Sequence, residues 1–193
     1  IFVLKPDSAH ATPVKAKPAA INLLARCYGD SIVLRWAPED FVTWNYLNQV
    51  GYNLYRIYTD KSGQYHDDLI AKGIRPQTLE QLRARYPESD SLAFVVVGML
   101  YGKGEVMPGQ TREPYGEVGG MLEVYDDQQT KFAFAEMVSE WRPDVAQAIG
   151  LRYVDRDVKP GVRYEYILQP AKRDPHGRLP IAPGQVEVTC TKY

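Results

Sequence analysis

Cysteine is scarce in this chain: Cys27 and Cys190 are the only two among 193 residues. Two are too few for a disulfide scaffold, and their separation lacks the close paired spacing of a zinc site. Charge bias is missing as well. With 23 basic and 24 acidic residues the formal net charge is −1, so no bulk field attracts nucleic acid or anionic lipid. No apolar run is long enough to span a bilayer. Histidine is confined to His10, His66 and His176, far apart in sequence. His66 with Asp67 and Asp68 is a conceivable His–carboxylate site, but nothing nearby supplies a nucleophile or an orienting partner, and a solvated turn explains it better. Gly102-Lys103-Gly104-Glu105 lacks the Gly-Lys-Ser/Thr ending and the strand–helix context of a phosphate loop. Asp126-Asp127 lacks the alternating oxygen-ligand spacing of a calcium loop and reads as helix capping. No cofactor, metal or catalytic residue is therefore nominated. The chain starts at Ile1 without a methionine, which reads as a processed or excised product, so a missing export signal excludes nothing.

Tyrosine and proline, by contrast, are plentiful, with 14 of each. Together they favour strands joined by rigid turns over a helical bundle. Hydrophobic residues at 45% are sufficient for a real core, and the length suits one large domain or two small ones. Residues 1–18, rich in proline, alanine and lysine, read as a linker or lead-in. Ala20 to Tyr28 reads as a strand closed by a turn at Tyr28-Gly29-Asp30. Ser31 to Trp36 is the next strand, with Ile32, Leu34 and Trp36 on one face. Phe41 to Gln49 reads as a longer connection into Gly51 to Tyr58, a tyrosine-rich strand with Leu54 and Arg56 on one side.

From residue 61 to 149 the period changes to that of helices. Thr78 caps a short helix in which Leu79, Leu82 and Tyr86 recur at three to four. Leu92 to Tyr101 is an apolar run that fits a helix or a buried strand, with the preceding cap and the Gly102 stop favouring the helix. Residues 102–120 are glycine-rich and read as a loop, followed by a short strand from Met121 to Tyr125. Phe132, Ala135, Val138 and Trp141 mark the stripe of an amphipathic helix, and Pro143 and Gly150 bracket another. Beyond Gly150, Leu151 to Asp155, Val162 to Leu168 and Val186 to Thr191 alternate again as strands.

The hairpin ending at Trp36, the strand carrying Tyr52 and Tyr55, and the Pro160-Gly161 turn followed by Tyr164 and Tyr166 resemble a fibronectin type III domain of the secreted or surface bacterial type. In that family the second strand's tryptophan packs in the core, and the tyrosine after the turn bonds back to the preceding corner. The resemblance covers residues 19–60 and 150–193. It implies a mainly β, Ig-like sandwich interrupted between its strands C and E by a mostly helical insertion over 61–149. It also implies a structural core of Trp36, Tyr52, Tyr55, Tyr164 and Tyr166. Because the first and last strands of such a sandwich lie together and run parallel, it further implies that Cys27 and Cys190 form a disulfide or a close pair. Two unrelated buried thiols are the alternative.

The expectation for function follows from that resemblance: a non-catalytic interaction or spacer module of a larger secreted or cell-surface protein. Its partners would be other domains of the same chain or a separate protein, and its location extracytoplasmic. The alternative is an accessory carbohydrate-binding module that stacks sugars on aromatics of the insertion. Trp44, Tyr46, Tyr101, Tyr115 and Tyr125 are the aromatics left for such a surface, with Tyr101, Tyr115 and Tyr125 its leading candidates.

Overall fold

The computed structural model describes residues 17–101 and 117–191. Most of the lead-in and the greater part of the glycine-rich stretch, with Tyr115, lie outside the described residues. Among the described residues, seven strands form two antiparallel sheets. The first sheet has the order β1-β2-β5, from β1 (Ile21–Cys27), β2 (Ile32–Pro38) and β5 (Arg152–Asp155). The second has the order β4-β3-β6-β7, from β3 (Tyr52–Thr59), β4 (Tyr65–Ile74), β6 (Arg163–Pro170) and β7 (Gly184–Thr189). Five helices accompany them among the described residues: α1 (Phe41–Val50), α2 (Leu79–Arg85), α3 (Ser91–Tyr101), α4 (Glu117–Trp141) and α5 (Pro143–Ala148).

Period-two alternation decides which side chains enter the core. Ile32, Leu34 and Trp36 of β2, Tyr52 and Leu54 of β3, and Tyr164, Tyr166 and Leu168 of β6 are all buried. Burying such side chains contributes roughly 1.5–3 kcal/mol each. The sheets meet where the Trp36 ring packs edge-on to Tyr52, with centroids 5.5 Å apart. Tyr55, whose position in β3 alternates with Tyr52 and Leu54, is only half-buried and lies outside that core. One residue of offset along a strand reverses the face, which is why two neighbouring tyrosines have different surroundings.

β1 and β7 belong to different sheets but run side by side in the same direction. Ala19 makes a parallel bridge to Ile181 at one end, and the Cys27 sulfur lies 3.7 Å from the Thr191 carbonyl oxygen at the other. Between these ends the approach is close enough that a Cβ on Gly184 would sit 2.6 Å from the Ile21 carbonyl oxygen. Only glycine fits there.

Three elements differ from the sequence-based expectation. Phe41 to Gln49 is not a connection but helix α1. Asp40 caps it by accepting from the Thr43 amide at 2.8 Å, and Phe41, Trp44 and Leu47 are buried at helical spacing. The short strand expected at Met121–Tyr125 is instead part of α4, which also takes in 117–120 of the expected loop. Glycine costs about 1 kcal/mol per residue inside a helix, but extending an established helix is cooperative and absorbs that. Third, residues 65–74 of the expected helical insertion form β4, which pairs with β3 from Thr59↔Tyr65 to Tyr52↔Ile74. The helices after the sheet begin only at Leu79. Leu92 to Tyr101, open between helix and strand, is helical as α3.

The segment between β4 and β5 leaves and returns at one place. The Gln77 amide donates to the Ala148 carbonyl at 2.9 Å. Gly150, at φ +75°, passes so close that a Cβ there would meet the Arg75 carbonyl carbon at 2.8 Å. The helices join the core through Trp44 of α1, whose ring lies 5.5 Å from Phe132 of α4.

Candidate functional site

Charged side chains concentrate at the junction of the two sheets. Arg56 of β3 occupies an inward position and is 5% exposed. An isolated buried guanidinium is costly, so its location demands acceptors. Asp155, the last residue of β5 in the opposite sheet, supplies both carboxylate oxygens to Arg56 Nη1, at 3.2 and 3.1 Å. Arg56 Nη2 also donates to Asp157 at 3.1 Å and to Asp68 of β4 at 3.4 Å. Burial alone would lower the Arg56 pKa, but the Asp155 charge and the bonds to Asp157, Asp155 and Asp68 overcome this and raise it. The Tyr166 hydroxyl donates to Asp155 Oδ2 at 2.8 Å, and the Asp157 amide donates to Oδ1 at 3.0 Å. Burial, then that bond to Asp155, raises the Tyr166 pKa, so the phenol stays protonated. The carboxylate is thus committed to internal donors, and the chemistry of this cluster is that of a clamp.

Beside the clamp, the Tyr58 ring lies 5.3 Å from the Arg56 guanidinium and stacks on His66 at 4.5 Å and 6°. His66 Nε2 meets Asp60 at 3.1 Å rather than its sequence neighbour Asp67. Asp60 also accepts from the Ser62 and Gln64 amides, so His66, which lies on β4 opposite Tyr58 rather than in a solvated turn, is tied to the β3–β4 turn through Asp60. Bonds from Ser62 and His66 hold the Asp60 carboxyl below the usual carboxylate range. The Tyr164 hydroxyl oxygen accepts from the Lys159 amide at 2.7 Å, fixing the corner before β6.

An open groove of about 450 Å³ runs along this end, with Lys61, Tyr65, Arg163, Glu165 and Glu187 in its lining. Its charges are mixed, and Arg163 is already paired with Glu187. Among the described residues no group of three or more His, Cys, Asp or Glu side chains is placed to hold a metal.

Among the described residues, the candidate sugar-stacking aromatics Trp44, Tyr46 and Tyr101 do not form an exposed stacking surface. Trp44 is buried, and Tyr46 is half-buried with its hydroxyl donating to the Lys172 carbonyl at 3.1 Å. Tyr101 is 37% exposed and donates its hydroxyl to the Gln77 carbonyl. Tyr125 falls within α4, and Tyr115 lies outside the described residues. Exposed apolar side chains lie elsewhere: Leu92 and Phe94 on α3, Met137 and Trp141 on α4. No helix among the described residues is long and apolar enough to cross a membrane.

Cys27 and Cys190 are both buried free thiols. They are neighbours, because both sulfurs bond to the peptide groups of Gly29. The Gly29 amide donates to the Cys27 sulfur at 3.1 Å, while the Cys190 thiol donates to the Gly29 carbonyl at 3.5 Å. Sequence reasoning missed the Arg56 clamp altogether. Its one available signal was an arginine at an inward position of an otherwise apolar strand, which requires a buried carboxylate partner. Comparison with protein-family models and with curated proteins finds no match to this chain.

Proposed function

We propose that this chain is a non-catalytic interaction or spacer module of a larger secreted or cell-surface protein, built on a fibronectin type III-like sandwich with a mainly helical insertion. The observation that carries this reading is the parallel course of β1 and β7. The described chain enters beside Ile181 and leaves beside Cys27, at opposite ends of the sheets. A module threaded this way passes the chain along its length, with its ends about 30 Å apart at the rise of extended strands. Flanking domains would then stand in line.

Further support comes from sheets of three and four strands, an arrangement that suits such a sandwich. The Tyr164 bond back to Lys159 agrees with the corner tyrosine of the family. The adjacency of Gln77 and Ala148 suits an insertion, because a segment whose two ends meet can be added without parting the sheets. Its exposed Leu92 and Phe94 are where contact with a protein partner is to be sought.

Two copies joined head to tail through a short linker test the reading by small-angle scattering. The in-line module gives an elongated particle with nearly twice the maximum dimension of one copy. A compact, folded-back pair contradicts it. Binding on a glycan array that is lost in Tyr101→Ala would instead favour the carbohydrate-binding alternative.

A further inference from the structure

We propose that Cys27 and Cys190 are a disulfide-forming pair whose closure carries tension past the whole domain. The pair sits at the exit end, where the last residue of β1 meets the residue following β7. These strands belong to different sheets, so a bond here joins the sheets covalently. The Gly29 peptide brackets both sulfurs, with its N–H on Cys27 and its carbonyl on Cys190. Two buried thiols that share Gly29, with Cys27 also on the carbonyl of the residue after Cys190, need little backbone movement to reach bonding geometry.

The two sulfurs differ in character. Burial works against the Cys27 thiolate, but the bonds from Cys190 and the Gly29 amide hold its pKa below the ordinary thiol value. Burial, with Cys27 as neighbour, pushes Cys190 up to about 11. Cys27 is also the more accessible of the two, at 8% exposed against 0%, and is the first nucleophile. With a small disulfide such as oxidised glutathione, the Cys27 thiolate attacks one sulfur, forms a mixed disulfide and releases one glutathione thiolate. Cys190 then attacks the Cys27 sulfur and releases the second glutathione. Two electrons pass from the protein to glutathione, and the two thiol protons end on the glutathione thiolates.

The position of the bond gives it a mechanical consequence. Nearly the whole fold lies between the two cysteines, in a loop of about 160 residues. In the reduced protein, a pull on the two chain ends unravels that loop. In the oxidised protein the pull runs along β1, crosses the sulfur bridge and leaves, and the loop is not under tension. The bond itself is independent of the in-line reading, whereas its role under tension rests on that reading.

The test uses the full chain equilibrated with oxidised glutathione or with a reducing dithiol. Alkylation and mass spectrometry should find two free thiols after reduction and none after oxidation, within a monomer. The oxidised form should unfold about 10 °C higher, given the length of loop closed. Stretched from its ends, the reduced fold should lengthen by roughly 600 Å and the oxidised fold by less than about 20 Å. Two free thiols surviving in glutathione disulfide, glutathione adducts without a bridge, or a bridge between two chains would each overturn the bond. An intramolecular bridge in a protein whose ends prove to lie together would leave the bond standing and overturn the in-line reading alone.

Discussion

Arg56 Nη1 binds both carboxylate oxygens of Asp155, at 3.2 and 3.1 Å, across the boundary between the two sheets. Each residue is the inward charged member of its strand, and both are about 5% exposed. A buried pair of this kind adds little net stability against a well-packed apolar replacement, but removing one partner strands the other. Arg56→Met should therefore cost about 3–5 kcal/mol in urea unfolding. The double variant Arg56→Met with Asp155→Leu should be less destabilised than the sum of the single changes. Strict additivity would show that the two side chains do not act as a pair.

Tyr166→Phe separates the hydroxyl from the ring. The ring remains packed, but Asp155 Oδ2 loses a donor at 2.8 Å. The expected loss is about 1.5–3 kcal/mol, as for a hydrogen bond to a charged group. The effect should shrink sharply in an Asp155→Asn background, and an unchanged loss there would assign the energy to packing.

The clamp also marks where the sequence stops being informative. Alternation in β2 and β6 identifies Trp36, Tyr164 and Tyr166 as inward positions, because Arg35, Arg163 and Glu165 beside them mark the other face as the wetter one. β4 escapes the same reading because it is an edge strand: Asp67, Asp68 and Lys72 interrupt the pattern, and its side chains are exposed or half-buried along its length. Helix α1 is legible in the sequence, since Asp40 precedes Phe41, Trp44 and Leu47 at helical spacing, but Pro38 just before it and Gly51 just after it also fit a connection between strands. The partners of Arg56 were not legible. Asp155 and Asp157 stand about 100 positions away, and nothing local to β3 points to them.

Acid should weaken the attachment of the helices. Arg142 pairs with Asp90, which caps α3, and with Asp144 in the first turn of α5. The Arg142 hydrogen bond is the largest cause of both shifts: it lowers the Asp90 pKa and takes Asp144 down to about 2. Since the folded values are the depressed ones, the stabilisation is complete above the ordinary carboxylate range and is lost as pH falls through the folded values. Wild type should thus be more stable than Arg142→Ala at about pH 6, with the gap closing between about pH 4 and pH 2. A gap in the urea midpoint that is constant down to pH 2 would contradict this.

Two glycine-to-alanine changes should act in opposite directions. Gly150 combines φ +75° with a backbone contact that a Cβ would make at 2.8 Å, so Gly150→Ala should destabilise by more than about 1 kcal/mol. Gly98 lies within α3 with open space around it, and Gly98→Ala should stabilise by about 0.5–1 kcal/mol. Thermal unfolding of the two variants reads both signs, and a stabilised Gly150→Ala would refute the close passage at Arg75.

The in-line course of the chain is open to one direct distance measurement. Spin labels at Lys17→Cys and Thr191→Cys, in a background with Cys27→Ser and Cys190→Ser, report the separation between entry and exit. Parallel β1 and β7 predict a single distribution centred at about 30 Å, from the rise per residue along extended strands. A distribution centred below about 15 Å would place both ends on the same side of the sheets and contradict the spacer reading.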